Sequence, residues 1–165
     1  MFKRRDLLLT PSQIEKLENA KVALFGLGGT LRFEVGLPLY GDELTDELTP
    51  IEAGLGMFVK VDKPEFIGKE VVARQKAEGI TRKIIGIELD DKAIPRHGYK
   101  VVVDGQEVGE VTTGYNSIST GKSVCMALVG IDYAKLGTRV GVQIRKKVFP
   151  GTVIKKRFYE KNYKK

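Results

Sequence analysis

Apolar and polar residues change their rhythm twice along this chain. Leu31, Phe33 and Val35 alternate with Arg32 and Glu34, and a period of two predicts a half-buried strand. Gly36, Pro38 and Gly41 then break the pattern and frame Tyr40 in a tight bend. In Thr49-Pro50-Ile51-Glu52, Thr49 suits a helix cap, Pro50 the first helical position, and Glu52 can reach back to the cap amide. Met57 to Val61 reads as a further strand. Gly68 precedes KEVVARQKAEG, where Val71, Val72 and Gln75 mark the face of a short helix that Gly79 caps. From Arg82 the chain becomes a series of short strands: KIIGIEL, YKVVV, QEVGEVTTG, SVCMALVG, RVGVQIR and TVIKKRF. Asp104-Gly105 is the strongest short hairpin signal among them. Six strands at this spacing predict a small closed barrel or a sandwich of about 75 residues.

Residues 1–30 read differently. Thr10-Pro11-Ser12-Gln13 starts a helix in the manner of a capping box, with Leu9 and Ile14 placed as a hydrophobic staple. The helix runs to about Asn19, and Lys21 to Phe25 (KVALF) reads as a buried strand before Gly26-Leu27-Gly28-Gly29. A strand followed by GLGG invites a dinucleotide reading, but Leu31 stands where the third glycine belongs and a strand-like stretch follows. That fingerprint needs a helix N-terminus to hold the pyrophosphate, so a tight turn is the better account. The segment resembles the opening of ubiquitin-activating-type adenylating enzymes, in which a helix rich in Glu and Lys leads into a strand and a GxGG turn.

The 165 residues suit one domain, or one small domain with an appended piece. With 28 Lys and Arg against 21 Asp and Glu, the net charge is +7. No Lys/Arg block precedes the chain end, so nucleic acid is not the expected partner. One cysteine excludes an internal disulfide and points to the cytoplasm, with Cys125 a buried small hydrophobe. No apolar stretch is long enough for a membrane span or signal peptide. His97, the single histidine, has no nucleophile or carboxylate arranged beside it in sequence and is taken as a turn residue. Asp90 and Asp91 are taken as solvated and DELTDEL (Asp42 to Leu48) as an acidic loop, because it lacks EF-hand spacing. No metal site is expected. Lys155, Lys156, Arg157, Lys161, Lys164 and Lys165 form a basic tail taken as a solvated terminus.

Several strings in order, LRFEVGLPLYGDELTDELTPIEAGLG, FIGKE, RKIIGIEL, IPRHGYKV, GEVTTGYNSISTGKSVCMALV and RFYEKNYKK, resemble the C-terminal part of the glycine cleavage system T-protein, a tetrahydrofolate-dependent aminomethyltransferase. The resemblance implies a C-terminal β-barrel, tetrahydrofolate as cofactor and the lipoyl carrier protein as partner. It also implies that the pterin pocket and the catalytic aspartate come from a large N-terminal portion with no counterpart here. The family enters its first matching strand as GLGARDTLR, where the arginine before the aspartate contacts folate; here Gly26 to Arg32 reads GLGGTLR and lacks that pair. Met57 stands where the family usually has Trp. The family's ligand tyrosine in its C-terminal Asn-Tyr corresponds to Tyr163.

Together these readings give an α+β, mainly β chain. Residues 1–30 are a foreign helix-strand segment, 31–81 an α/β fragment of the T-protein middle region, and 82–165 a six-stranded antiparallel β-barrel with its tail. The expected function is that of a T-protein-like fragment with weak or no folate affinity, no catalytic residue of its own, and no activity alone. The alternative is a chimeric or engineered folding module without ligand specificity, associating through open sheet edges.

Overall fold

The computed structural model describes residues 32–159 together with Gly29. The expected helix at residues 10–19, the strand at 21–25, most of the GLGG turn and Tyr163 lie outside the described residues.

Six strands carry the fold: β1 (Arg82–Leu89), β2 (Lys100–Val103), β3 (Gln106–Asn116), β4 (Ser123–Gly130), β5 (Arg139–Ile144) and β6 (Lys147–Ile154). Every neighbouring pair is antiparallel, and the order β1-β4-β3-β2-β5-β6 returns on itself when β6 pairs with β1. The mainly β barrel expected from the strand spacing is therefore the observed one, and closure decides between barrel and sandwich. It also removes, from the barrel, the open edges expected to drive association.

The alternation in the sequence sorts each strand into two faces. Ile85, Ile87 and Leu89 of β1 point inward with Val101, Val111, Cys125, Ala127, Val129, Val142 and Val153. Branched side chains dominate this interior because they fill a narrow barrel with few rotamers to lose. Ile84, Val124 and Met126 point outward, yet they are buried. They need a cover, and the chain before β1 provides it.

Two hairpins use two-residue turns. Asp104-Gly105 has φ of 50° and 79°, both left-handed, as the sequence predicts. The β5–β6 turn holds Arg145 at φ 58°, and nothing in Arg145-Lys146 announces such a turn. The last strand starts at Lys147 and ends at Ile154, well before the expected 152–158. Pro150 and Gly151 look like breakers in sequence but sit within the strand. Pro150 needs no amide there, its carbonyl accepting from the Asp90 amide at 3.0 Å.

The segment before the barrel departs most from expectation. Arg32–Glu34 is helical and not a strand. The Gly36 amide bonds the Phe33 carbonyl at 2.9 Å and the Leu37 amide that of Arg32 at 3.0 Å, with Gly36 at φ 74°. This pattern closes a helix with a left-handed glycine. Phe33 and Glu34 are adjacent and both buried, which a strand on a single face cannot achieve. Met57–Val61 is not a strand either: Gly56–Phe58 forms a 3-10 turn, with Met57 and Phe58 exposed. The expected helix is present as α1 (Lys69–Glu78), closed by Gly79, although Val72 is buried and Val71 faces solvent. No helix among the described residues is long and apolar enough to cross a membrane.

Close strand approach depends on Gly109, where an added Cβ would lie 2.1 Å from the Leu128 carbonyl oxygen and 2.8 Å from Val129 Cα. Both obstacles are backbone, so Gly109→Ala is expected to lower stability by about 2 kcal/mol or more. Gly121→Ala, with a positive φ but open space around it, should cost about 1 kcal/mol. Urea midpoints of the two variants check the order.

Candidate functional site

The cover over the outer barrel face is built on the helix end at residues 32–36. Phe33 enters the cluster of Leu48, Ile84, Val124 and Met126. Its ring stacks on Phe158 at 4.9 Å between centroids and meets Tyr115 edge-on at 5.1 Å. Its neighbour Glu34 is buried against the β3–β4 loop. One carboxylate oxygen accepts from the Ser117 hydroxyl at 2.7 Å and the Ser119 amide at 3.1 Å, and the other from the Ser119 hydroxyl. The Glu34 carbonyl accepts from the Phe158 amide at 2.9 Å and the Tyr159 amide at 3.0 Å. Burial alone would raise the Glu34 pKa. The donors from Ser119 and Ser117 outweigh it, so the carboxyl titrates below its ordinary value.

A second buried carboxylate meets a bulge in β3. The β3–β4 register slips between Val111 and Thr113, which leaves Thr112 as the extra residue. The Thr112 hydroxyl donates to Glu43 Oε1 at 2.8 Å. Glu43 Oε2 accepts from the Leu39 amide at 3.0 Å and from Arg32 Nη1 at 3.3 Å. The bulge also leaves the Thr112 carbonyl to accept from His97 Nδ1 at 2.9 Å, with Asp42 Oδ1 4.0 Å from the same nitrogen. The Arg32 guanidinium donates to the Leu37 carbonyl at 2.7 Å and lies 4.0 Å from Asp42, while its Nε is buried without a partner among the described residues.

Glu52 is the third. The Thr49 amide donates to its carboxylate at 2.9 Å, and the Glu52 amide donates back to the Thr49 hydroxyl at 3.3 Å. This is the capping box read in the sequence. Arg82 Nε adds an ion pair at 2.7 Å, and the Ile84 amide donates to the Glu52 carbonyl at 3.0 Å. Burial pushes the Glu52 carboxyl up; the Thr49 amide and Arg82 more than reverse this. Lys156 reaches the same turn, its Nζ donating to the Ala53 carbonyl. Burial first, and the charge of Lys83 second, hold its pKa below the ordinary lysine value.

Several residues therefore occupy places other than those expected. Glu43, read as part of an acidic loop, is fully buried. Lys156, read as solvated tail, is half-buried and bonded. Asp90 is exposed, as read, and there holds Arg139 in a two-pronged ion pair. Tyr40 does sit in a bend, its hydroxyl donating to Asp46 at 2.8 Å. Cys125 is buried with its thiol pushed far up by burial, as a structural cysteine should be. His97 is an exposed turn residue. Among the described residues, no three His, Cys, Asp or Glu side chains are grouped to hold a metal. Sequence reasoning missed Glu34, Glu43 and Thr112; the available signal was the hydroxyl-rich run Ser117-Ile118-Ser119-Thr120 after a strand, a natural source of donors for a buried carboxylate.

Comparison with known proteins agrees with this geometry. Residues 82–160 match the family described as the glycine cleavage T-protein C-terminal barrel domain. Aminomethyltransferase from Thermoanaerobacter pseudethanolicus is 50% identical over 153 residues, which is 93% of this chain and 42% of that protein. Aminomethyltransferase from Clostridium botulinum strain Langeland is 50% identical over 150 residues, 90% of this chain and 40% of that protein. The crystal structure of glycine cleavage system aminomethyltransferase T from Bartonella henselae superposes with a TM-score of 0.76 at 29% identity, covering 82% of this chain and 39% of that one. The chain thus spans about two fifths of the length of the curated relatives it matches. Likeness over 93% of the chain runs into residues 1–30, and the comparisons lend no support to an adenylating-enzyme origin for them.

Glu34 and Glu52 both titrate below the ordinary glutamate value of 4.5 when folded. Their contribution to stability is complete above that value and is lost as pH falls through the lower folded values. Glu34→Gln should cost about 2 kcal/mol at pH 7 by removing charge-assisted hydrogen bonds. It should also flatten the acid limb, seen in urea midpoints between pH 7 and pH 3. Identical acid limbs in the parent and the variant would show that the Glu34 charge does not hold the cover.

Proposed function

We propose that the chain, whose residues 82–160 match the glycine cleavage T-protein C-terminal barrel domain, supplies the barrel and its cover to a tetrahydrofolate-dependent aminomethyltransferase. In that activity a methylene group passes from an aminomethyl-lipoyl carrier protein to tetrahydrofolate with release of ammonia. The supporting observation is 50% identity to an aminomethyltransferase over 93% of the chain. The partner of this reading is the lipoyl carrier protein of the glycine cleavage system. The compartment is the cytoplasm, where the single cysteine stays reduced.

Within this reading the chain by itself is catalytically silent. Transfer to a folate amine needs that amine oriented and a carboxylate free to hold or relay its proton. Glu34, Glu43 and Glu52 are each saturated by protein donors, and two of them titrate below the ordinary range. These carboxylates do not fit a pterin's hydrogen-bonding edge without first giving up the bonds that hold the cover on the barrel. The described residues therefore serve as scaffold. Tyr163, the family's ligand tyrosine by resemblance, remains the proposed folate contact.

The test is an ammonia-release assay of the purified chain with aminomethylated carrier and tetrahydrofolate. No turnover above the protein-free control is the expected result, and turnover by the chain alone would overturn the silent reading. A thermal melt with millimolar tetrahydrofolate should rise by no more than 1–2 °C; about 5 °C, roughly 2 kcal/mol, would establish a folate site in these residues.

A further inference from the structure

The sulfur atoms of this chain sort into two environments. It has three methionines and one cysteine, of which Met57, Cys125 and Met126 are among the described residues. Cys125 belongs to the barrel core and Met126 packs with Phe33 under the cover, and neither has exposed surface. Met57 is 78% exposed, and Phe58 beside it 73%. Among these three, an oxidant dissolved in water meets the Met57 thioether directly. It reaches Cys125 and Met126 only when the barrel or its cover opens. Cys125 is protected a second time: burial holds its thiol protonated, and the thiolate is the form that peroxides attack.

The turn that carries Met57 holds its shape without that side chain. The Phe58 amide donates to the Leu55 carbonyl at 2.9 Å and the Val59 amide to the Gly56 carbonyl at 3.2 Å. Lys76 of α1 adds a bond from its Nζ to the Val59 carbonyl at 2.6 Å. No residue of Gly56–Phe58 is buried. A change of polarity at the Met57 sulfur thus leaves each of these bonds in place. At Met126 the same change would put a polar sulfoxide among Phe33, Leu48, Ile84 and Val124, where burial makes it costly.

We propose that Met57 is the first of these sites at which hydroperoxides modify the chain, a reversible oxidation that makes the 56–58 turn polar and leaves the barrel and its cover intact. The thioether lone pair attacks one peroxide oxygen, and the S–O bond forms as the O–O bond breaks. The proton of the attacked oxygen passes through water to the oxygen that leaves, which departs as water or an alcohol. Sulfur is oxidised and the peroxide reduced. Methionine sulfoxide reductases, one for each epimer of the sulfoxide, reverse the step with a thiol as reductant.

Treating the purified chain with hydrogen peroxide and mapping its peptides by mass spectrometry tests this. Met57 should gain oxygen about tenfold faster, or more, than Met126 or Cys125. At full conversion of Met57 the melting temperature should move by less than about 2 °C, and retention on a hydrophobic column should fall. Met57→Leu keeps the volume and should remove most of that fall. The reductase pair should restore the parent's retention, and failure to restore it would overturn the reversibility. In denaturing urea the Met57 and Met126 rates should agree within about twofold; a preference for Met57 that persists there would trace it to local sequence and overturn the structural argument. Equal rates in the folded chain would overturn Met57 as the first site. A melt lowered by about 5 °C or more while Met126 and Cys125 are still unoxidised would show that the barrel or cover is disturbed and overturn that part. Unchanged retention, or an equal fall in Met57→Leu, would overturn the polarity switch.

Discussion

Burying a carboxylate beside an aromatic ring is the constraint on which the cover over this barrel depends. Phe33 and Glu34 are consecutive, and each must leave water at the same step. Phe33 brings apolar area to the exposed outer face of β1 and β4, which favours docking in any of several orientations. Glu34 is less tolerant, because a buried charge without donors is strongly unfavourable. Only one placement sets its two oxygens against the hydroxyls of Ser117 and Ser119 and the Ser119 amide. The ring supplies the drive and the carboxylate selects the register. The same residue's carbonyl then receives Phe158 and Tyr159, so segments distant in sequence are tied at one point.

The bulge at Thr112 extends this logic to the neighbouring loop. A regular strand would commit the Thr112 backbone to its ladder and alternate its side chain inward or outward by rule. The extra residue breaks the ladder locally. Its hydroxyl is thereby available to Glu43 and its carbonyl to His97, so one irregularity anchors both the 39–46 loop and the turn before β2. Glu43 and Glu34 thus play the same part on two loops, each a buried acceptor that a β3 or post-β3 hydroxyl satisfies.

The barrel was legible in the sequence because its signals are local. Each strand carries its own alternation, and Asp104-Gly105 carries its own turn. The β6 start was hidden because Pro150 and Gly151 usually break strands; here closure brings Glu88 O within 2.7 Å of where a Gly151 Cβ would be, so the barrel itself demands the small residue. The 31–35 stretch misled because three alternating apolar residues match a strand and a helix end about equally well at that length. What separates the two is a hydroxyl-rich loop some 83 positions away that donates to the Glu34 carboxylate. Glu43 and Lys156 were misplaced for the same reason: a charge reads as solvated unless its distant partner is known. Hence the scaffold was readable, while the cover and its buried charges depended on contacts that no short window contains.

Those buried charges also bear on chemistry. A carboxylate that staples a loop must stay ionised and fully bonded across the working pH, which calls for a lowered pKa, as Glu34 and Glu52 have. A carboxylate that exchanges protons with an amine must give up bonds during turnover and titrate near the working pH. One group does not meet both demands, because loosening it for catalysis would release the segment it holds. Glu34 and Glu52 are committed to the first task. What the described residues offer instead is a rigid surface, a closed sheet whose cover is fixed by buried carboxylates.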